Sequence, residues 1–163
     1  MKILIISVIR VGGTYLFESL SKTYSIKNKI FEPKELIKPT DSTIVKLNVG
    51  MIDNDDIISY SKYFEHIVIL DRKDKRAQAE SASVSKVTKK PHSKYSVISF
   101  DKNLVKKWED FFSKSSESLK VISNKINKKI YYYEDIYYGN VKIDNLTFNP
   151  DVSKKLRVTK KVI

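Results

Sequence analysis

The chain contains no cysteine, only two histidines (His66 and His92), and no apolar run long enough to cross a membrane. The lack of cysteine excludes disulfides and thiolate metal sites, and it fits the reducing cytoplasm, where we expect the protein to act. Two histidines are too few for a histidine-based metal cluster, so we predict no metal cofactor. The apolar run at residues 2–9 is short, lacks a small-residue cleavage site and ends at Arg10. It predicts a buried strand rather than a secretion signal.

Acidic residues are the minority, with 19 Asp and Glu against 31 Lys and Arg, and the formal net charge is +12. Such a charge attracts polyanions, from nucleic acids to nucleotide phosphates. The lysines are spread along the whole chain, so the charge predicts no specific nucleic-acid partner. At 163 residues and 41% hydrophobic content, the sequence predicts one globular domain, residues 1–163.

Strand-like and helix-like segments alternate along the chain. Apolar runs predict strands at 2–7, 43–48, 66–71 and 129–133, and helical patterns predict helices at 14–24, 53–63, 75–87 and 104–126. We interpret residues 91–100 as a loop. The alternation predicts an α/β fold with three layers, in which a mostly parallel sheet carries helices on both faces. Ligands of such sheets bind beyond the carboxyl ends of the strands, so the loops after Ser7 and Asp71 are candidate sites.

The loop after the first strand combines an arginine with a scarce residue, glycine. Two of the four glycines stand here, in the run Ile9-Arg10-Val11-Gly12-Gly13-Thr14. Glycine lets the backbone approach an anion, the helix N-terminus offers N–H groups that Thr14 can supplement as a cap, and Arg10 adds a cation. The run lacks the Lys-Ser/Thr pair of a Walker A loop. A tight turn without a ligand would use the same residues, so the loop alone leaves both interpretations open.

The order strand, Arg-x-Gly-Gly-Thr, helix resembles the 5′-phosphosulfate loop of sulfotransferases that use 3′-phosphoadenosine-5′-phosphosulfate (PAPS). A second run after the strand at 66–71 is similar to the Arg-x-Asp-Lys-x-x-Gln-Ala-x-Ser pattern of the bacterial branch that includes trehalose 2-sulfotransferase and the nodulation-factor sulfotransferases. That run is Arg72-Lys73-Asp74-Lys75-Arg76-Ala77-Gln78-Ala79-Glu80-Ser81.

This resemblance implies a P-loop-NTPase-like sulfotransferase fold, PAPS as the donor and no metal. It implies that the 3′-phosphate is bound by Arg72 and Ser81. An arginine fork at a strand end suits a dianion, and a serine about two helical turns further on completes its hydrogen bonds. A solvated, charged helix start is the alternative interpretation of this run. The residues expected to hold the 5′-phosphosulfate are Arg10, Val11, Gly12, Gly13, Thr14 and Tyr15.

Weaker features of the chain agree with the same family. Val45-Lys46-Leu47 resembles a Gly-Val-Lys-Leu strand of that branch, and Trp108 with the later run 132–136 is similar to a Trp…Tyr-Glu-Asp-Leu signature. We expect Trp108 and Tyr133 to be mainly structural, since large aromatics at such positions are usually core residues. Glu134 and Asp135 are expected to cap or brace the site.

Sulfuryl transfer requires in-line positioning, a base for the acceptor hydroxyl and positive charge near the leaving group. Arg10 and backbone N–H groups can supply that charge. The base is expected in the run Phe31-Glu32-Pro33-Lys34-Glu35. The Pro-x-Glu of the bacterial branch implies Glu35, the Phe-Glu-Pro of other sulfotransferases implies Glu32, and we favour Glu35. Exposed glutamates at a helix start would show the same pattern.

The acceptor is not specified by any residue pattern, and we expect a hydroxyl on a carbohydrate or a small molecule. The chain is short for the family. Either the acceptor is small or presented on a large partner, or a second subunit of a homodimer completes the pocket, or nucleotide binding persists without activity. The basic tail either folds over the nucleotide, with Arg157 as a donor ligand, or frays. Two other functions stay open: a nucleotide- or polyanion-binding protein without transferase activity, and a P-loop-like kinase using ATP.

Overall fold

A computed structural model of the chain describes residues 1–88, 97–139, 142–150 and 159–162. Strands and helices alternate through most of the described part, as the sequence predicted. In chain order these are β1 (Lys2–Ser7), α1 (Gly13–Thr23), β2 (Asn28–Phe31), β3 (Thr43–Asn48), α2 (Asn54–Ser61), β4 (His66–Asp71), α3 (Lys75–Thr88), β5 (Val97–Phe100), α4 (Lys102–Ile126), β6 (Ile130–Tyr132), α5 (Tyr133–Tyr138) and β7 (Thr159–Val162).

Five strands form one all-parallel sheet in the order β2-β3-β1-β4-β6. The predicted α/β class is therefore confirmed, and β1, β3 and β4 begin and end at the predicted residues. Their apolar runs suit central strands because a parallel strand is covered on both faces. The strand β2 was not predicted. It is four residues long, forms the edge of the sheet and is largely exposed, so it carries no apolar run.

Helices lie against both faces of this sheet. Gly13, at the start of α1, packs against Ser7, whereas Lys75 of α3 contacts Asp71. Ser7 is paired in register with Leu70, so Asp71, the next residue along the strand, points to the opposite face. The helix α4 packs on α2 and α3. Within the described residues, no helix is long and apolar enough to cross a membrane.

The predicted loop 91–100 is wrong in its last part, because Val97–Phe100 forms β5 and pairs in parallel with β7. Residues 91–96 and Arg157 lie outside the described residues. Both strands of this pair are four residues long and widely separated in sequence, so no local hydrophobic pattern predicts them.

The chain reverses its direction across the sheet between β1 and β4. From β1 it moves to β2 and β3 on one side, and then to β4 and β6 on the other. Beyond the carboxyl ends of such strands lies the usual ligand position of parallel sheets. The loops that follow Ser7 and Asp71 meet there.

Candidate functional site

The loop after β1 is a tight turn in which two residues have left-handed backbone conformations. Arg10 has a φ of 64° and Gly12 a φ of 76°. Gly12 is the N-cap of α1, and no side chain of the described residues caps this helix. Thr14 was expected to cap the helix, but it lies in the first turn, after the N-cap position, where its side chain is exposed. The first-turn N–H groups of a helix lack intrahelical partners, which makes this end suited to an anion.

A side chain on either glycine of this loop would force its neighbours to shift, and at Gly12 it would also be strained by the positive φ. A Cβ on Gly12 would lie 2.9 Å from the Tyr137 ring, and a Cβ on Gly13 would lie 2.8 Å from Lys46 Cε. Val11 is buried in the core, so only its backbone can face a ligand. The Tyr15 side chain is exposed, and its ring centroid lies 6.0 Å from that of Tyr137. The loop is therefore a cradle that exposes mainly backbone groups to a ligand, and Tyr137 and Lys46 pack closely against its glycines.

Side chains of α3 hold this loop from the second half of the sheet. Arg10 donates to Ser81 Oγ from Nε at 3.0 Å and from Nη2 at 2.9 Å. The buried Gln78 donates from Nε2 to the Ile9 carbonyl at 2.8 Å. The structure therefore brings Arg10 and Ser81 together, although they are 71 positions apart in the chain. The resemblance paired Ser81 with Arg72, whereas the direct side-chain contact of Ser81 is with Arg10.

Arg72 joins the same cluster from the end of β4. Its Nη1 donates to the Arg10 carbonyl at 3.4 Å, and its guanidinium carbon lies 4.6 Å from the centroid of the Tyr133 ring. The buried Nε lies 3.6 Å from Glu134 Oε1 and has no hydrogen-bond partner among the described residues. A guanidinium has five N–H donors, so an anion accepting from those that remain would stabilise the arrangement.

The guanidinium groups of Arg10 and Arg72 lie close enough to repel each other. Burial, and then the positive charge of Arg72, hold the pKa of Arg10 below its usual value. Arg10 remains protonated in spite of this, because guanidinium pKa values are so high. A bound dianion would offset both the burial and the repulsion.

The short helix α5 links the two loops. Glu134 accepts backbone hydrogen bonds from Lys73 at 2.9 Å and from Asp74 at 3.0 Å. On the same helix, the Tyr137 hydroxyl donates to the Gly12 carbonyl at 2.6 Å. The Tyr133 ring stacks on that of Tyr137, with centroids 4.7 Å apart. Tyr133 therefore has the structural place that the sequence predicted, and Glu134 braces the Arg72 loop.

A second polar cluster lies beside the loop, at the carboxyl ends of β2 and β3. Lys46 is 3% exposed, and its Nζ donates to Glu32 Oε1 at 2.5 Å and to Asn48 Oδ1 at 2.8 Å. Ser7 Oγ donates to the same Asn48 oxygen at 3.2 Å. Burial lowers the pKa of Lys46, and the hydrogen bond and charge of Glu32 oppose that shift. Because Lys46 also lies under Gly13, this cluster adjoins the cradle.

The two candidate bases differ in their surroundings. Glu32 is partly buried, has a left-handed φ of 48° and bonds Lys46. Glu35 is exposed in the segment between β2 and β3. The structure thus brings Glu32 to the cluster and leaves Glu35 on the surface. Trp108 packs with Phe112 in α4, with ring centroids 5.5 Å apart, as expected for a structural residue.

Sequence reasoning missed Lys46, Gln78 and Tyr137 as site residues. Lys46 had a usable signal, because it is the charged residue within an otherwise apolar strand, and buried lysines are rare. Gln78 is the glutamine of the Arg-x-Asp-Lys-x-x-Gln-Ala-x-Ser run, whereas Tyr137 had no signal. The partners of both are backbone carbonyls distant in the chain. Among the described residues, no group of three or more His, Asp or Glu side chains is placed to hold a metal ion.

We expect Tyr137 to make the protein sensitive to alkali. Burial raises the pKa of Tyr137 and of Tyr133. A raised folded-state pKa gives stability that is present below the unfolded tyrosine pKa, about 10, and is lost as the pH rises. Tyr137→Phe should therefore flatten the fall in unfolding free energy above pH ~10, by up to about 1.4 kcal/mol per pH unit. Urea unfolding at pH 8 to 11.5 measures this.

The matched control for this prediction is Tyr63→Phe, on a tyrosine that is 47% exposed. At neutral pH, Tyr137→Phe should cost about 1 kcal/mol for the lost hydrogen bond. An identical pH profile for Tyr137→Phe and wild type would contradict the burial of this hydroxyl.

Comparisons of the chain with protein-family models, with curated proteins and with solved structures found no significant match. The function of the site has to be inferred from its geometry and chemistry. The site consists of a glycine cradle at a helix start, two clustered arginines, one of which is ion-paired with Glu134, and an adjoining carboxylate–ammonium pair.

Proposed function

We propose that this chain transfers a sulfuryl group from PAPS to a hydroxyl acceptor. The observation that carries the proposal is the contact of Arg10, Ser81 and Arg72, which joins the loop after β1 to the loop and helix after β4. A donor with phosphates at both its 5′ and 3′ positions requires two anion sites close together. A single phosphate would not require both loops.

The residues fit the donor in two parts. The cradle of Gly12 and Gly13 with Arg10 suits the 5′-phosphosulfate, because backbone N–H groups and a helix N-terminus bind anions without a bulky side chain in the way. Arg72 with Ser81 suits the 3′-phosphate, since the Arg72 guanidinium keeps N–H donors that can make charge-assisted hydrogen bonds. Arg10 lies between the parts and contributes to both.

In the proposed reaction, Glu32 accepts the proton of the acceptor hydroxyl while the acceptor oxygen forms a bond to the donor sulfur. The bond between that sulfur and the bridging 5′-phosphate oxygen breaks, and its electron pair leaves with 3′,5′-ADP. The products are the sulfate ester and 3′,5′-ADP, with the proton on Glu32 passing to water. Lys46 keeps Glu32 in place and offsets negative charge at the transfer point.

A kinase is the alternative function that uses a similar loop. Its Mg²⁺ would be held in part by a carboxylate at the end of a buried strand, and Asp71 has that position. The Asp71 side chain is buried and bonds Lys75 Nζ at 2.6 Å, on the opposite face from α1. The loop also has no Walker lysine. Both facts favour the sulfotransferase.

Calorimetric titration with 3′,5′-ADP, 5′-AMP and ATP with magnesium, at two salt concentrations, tests the proposal. We expect 3′,5′-ADP to bind about 10- to 100-fold more tightly than 5′-AMP, because one further phosphate gains charge-assisted hydrogen bonds worth about 1.5–3 kcal/mol. Equal affinities with a steep salt dependence would indicate general polyanion binding instead. A preference for ATP with magnesium would indicate the kinase.

A further inference from the structure

Two large apolar side chains are exposed next to the polar cluster of Lys46, Asn48 and Glu32. Phe31 ends β2 and is 45% exposed, and Met51 is 60% exposed in the turn after β3. Both lie at the carboxyl edge of the sheet, where the proposed transfer takes place. Single exposed apolar residues are common on protein surfaces. A role in ligand binding is therefore inferred only from the contacts of these two residues with the polar cluster.

Each of the two apolar residues contacts that cluster. Lys46 Nζ lies 4.8 Å from the centroid of the Phe31 ring, and Asn48 Nδ2 lies 3.8 Å from Met51 Sδ. The Phe31 ring also packs edge-on against Phe17, with centroids 5.4 Å apart. Buried groups therefore hold the ring in place and leave nearly half of it open to solvent.

Acceptor atoms of the cluster already accept hydrogen bonds from within it, at Glu32 Oε1 and Asn48 Oδ1. Asn48 Oδ1 already accepts from Lys46 and from Ser7, and Glu32 is the partly exposed carboxylate. A sugar placed here would turn several hydroxyls toward Phe31 and Met51, which have no partner for them. A molecule with one hydroxyl on an apolar ring would match both the partly exposed carboxylate of Glu32 and the exposed side chains of Phe31 and Met51.

We propose that the acceptor is an aryl hydroxyl, whose ring lies against Phe31 and Met51 and whose oxygen faces Glu32. This rests on the proposed sulfuryl transfer and replaces the carbohydrate as the expected acceptor. Phenolic hydroxyls have a pKa near 10 and are more acidic than alkyl alcohols. A carboxylate base beside an ammonium group therefore removes the proton of a phenol more easily than that of an alkyl alcohol. The proton passes from the aryl oxygen to Glu32 as the new oxygen–sulfur bond forms.

The test uses 2-naphthol and methyl glucoside as acceptor probes with the full chain. Binding of 2-naphthol to the protein loaded with 3′,5′-ADP is followed by naphthol fluorescence, and transfer is followed by sulfate-ester formation from PAPS. We expect saturable binding and transfer with 2-naphthol, and at least about tenfold lower kcat/KM with methyl glucoside. Phe31→Leu and Met51→Ala should each raise the KM for 2-naphthol about 3- to 10-fold, since each removes apolar contact area.

Controls separate this proposal from the proposed function. Tyr63→Ala removes a similarly exposed aromatic residue from the region after α2 and should leave the KM unchanged. The affinity for 3′,5′-ADP should stay unchanged in all variants, which also shows that they are folded. If 3′,5′-ADP binds but 2-naphthol does not, or if the glucoside is preferred, the proposal of an aryl acceptor is wrong. Neither outcome contradicts the proposed sulfuryl transfer. If 3′,5′-ADP shows no preference over 5′-AMP, both proposals fall.

Discussion

Arg72→Ala is expected to weaken the binding of 3′,5′-ADP by about 10- to 100-fold while changing the affinity for 5′-AMP by less than about threefold. The reason is that the Arg72 guanidinium, held by one long hydrogen bond and its ion pair with Glu134, keeps N–H donors for the 3′-phosphate, and charge-assisted hydrogen bonds are worth about 1.5–3 kcal/mol. Ser81→Ala should act in the same direction with a smaller effect. Titration calorimetry with both nucleotides measures the difference.

Arg76→Ala is the matched control for Arg72→Ala. Arg76 lies four residues further on, is about half exposed and pairs with Glu80 and Glu109, so its loss removes the same charge without touching the loop. Arg72→Lys keeps the charge but not the planar fork, and it should fall between wild type and Arg72→Ala. Equal losses for 3′,5′-ADP and 5′-AMP in Arg72→Ala would remove the 3′-phosphate assignment.

Glu32→Gln should lower turnover by about 10²- to 10⁴-fold, the usual range for a lost general base. Glutamine keeps the size of the side chain and an oxygen that accepts from Lys46, so the fold and the affinity for 3′,5′-ADP should be retained. Turnover is measured as release of 3′,5′-ADP from PAPS in the presence of 2-naphthol, and affinity by calorimetry.

The corresponding control is Glu35→Gln, which changes an exposed carboxylate in the same segment. We expect its turnover to stay within about twofold of wild type. The opposite pattern, with Glu35→Gln inactive and Glu32→Gln active, would return the base to the position that the Pro-x-Glu pattern favoured. Loss of activity in neither variant would mean that the proton leaves by another route.

The prediction of secondary structure from the sequence worked where one local force dominates. The strands β1, β3 and β4 are apolar runs because both of their faces are buried, and any chain with this pattern buries it in the same way. The helix α4 followed from its amphipathic repeat, and it begins two residues before the predicted start, where Asp101 caps it. Prediction failed for β2, β5 and β7, because each is a four-residue strand that forms only by pairing.

The candidate site was partly predictable for a similar reason. Arg10, Gly12 and Arg72 follow buried strands, and in a parallel sheet the carboxyl ends of neighbouring strands converge. The partner of Ser81 was not predictable in this way. Its hydroxyl meets Arg10 rather than Arg72, because the left-handed turn at Arg10 and the position of α3 together set the direction of the Arg10 side chain.

The sequence by itself determined the α/β class, the parallel core strands and the two loops that carry the arginines, since burial and backbone periodicity are local properties of the chain. Only the tertiary structure decided that Glu32 rather than Glu35 meets Lys46, that Tyr137 holds Gly12, and that Phe31 and Met51 stay exposed next to the Lys46 cluster. These are contacts between residues 14 or more positions apart, or the exposure left after packing. Their geometry depends on how helices and strand ends meet, which no stretch of sequence encodes alone.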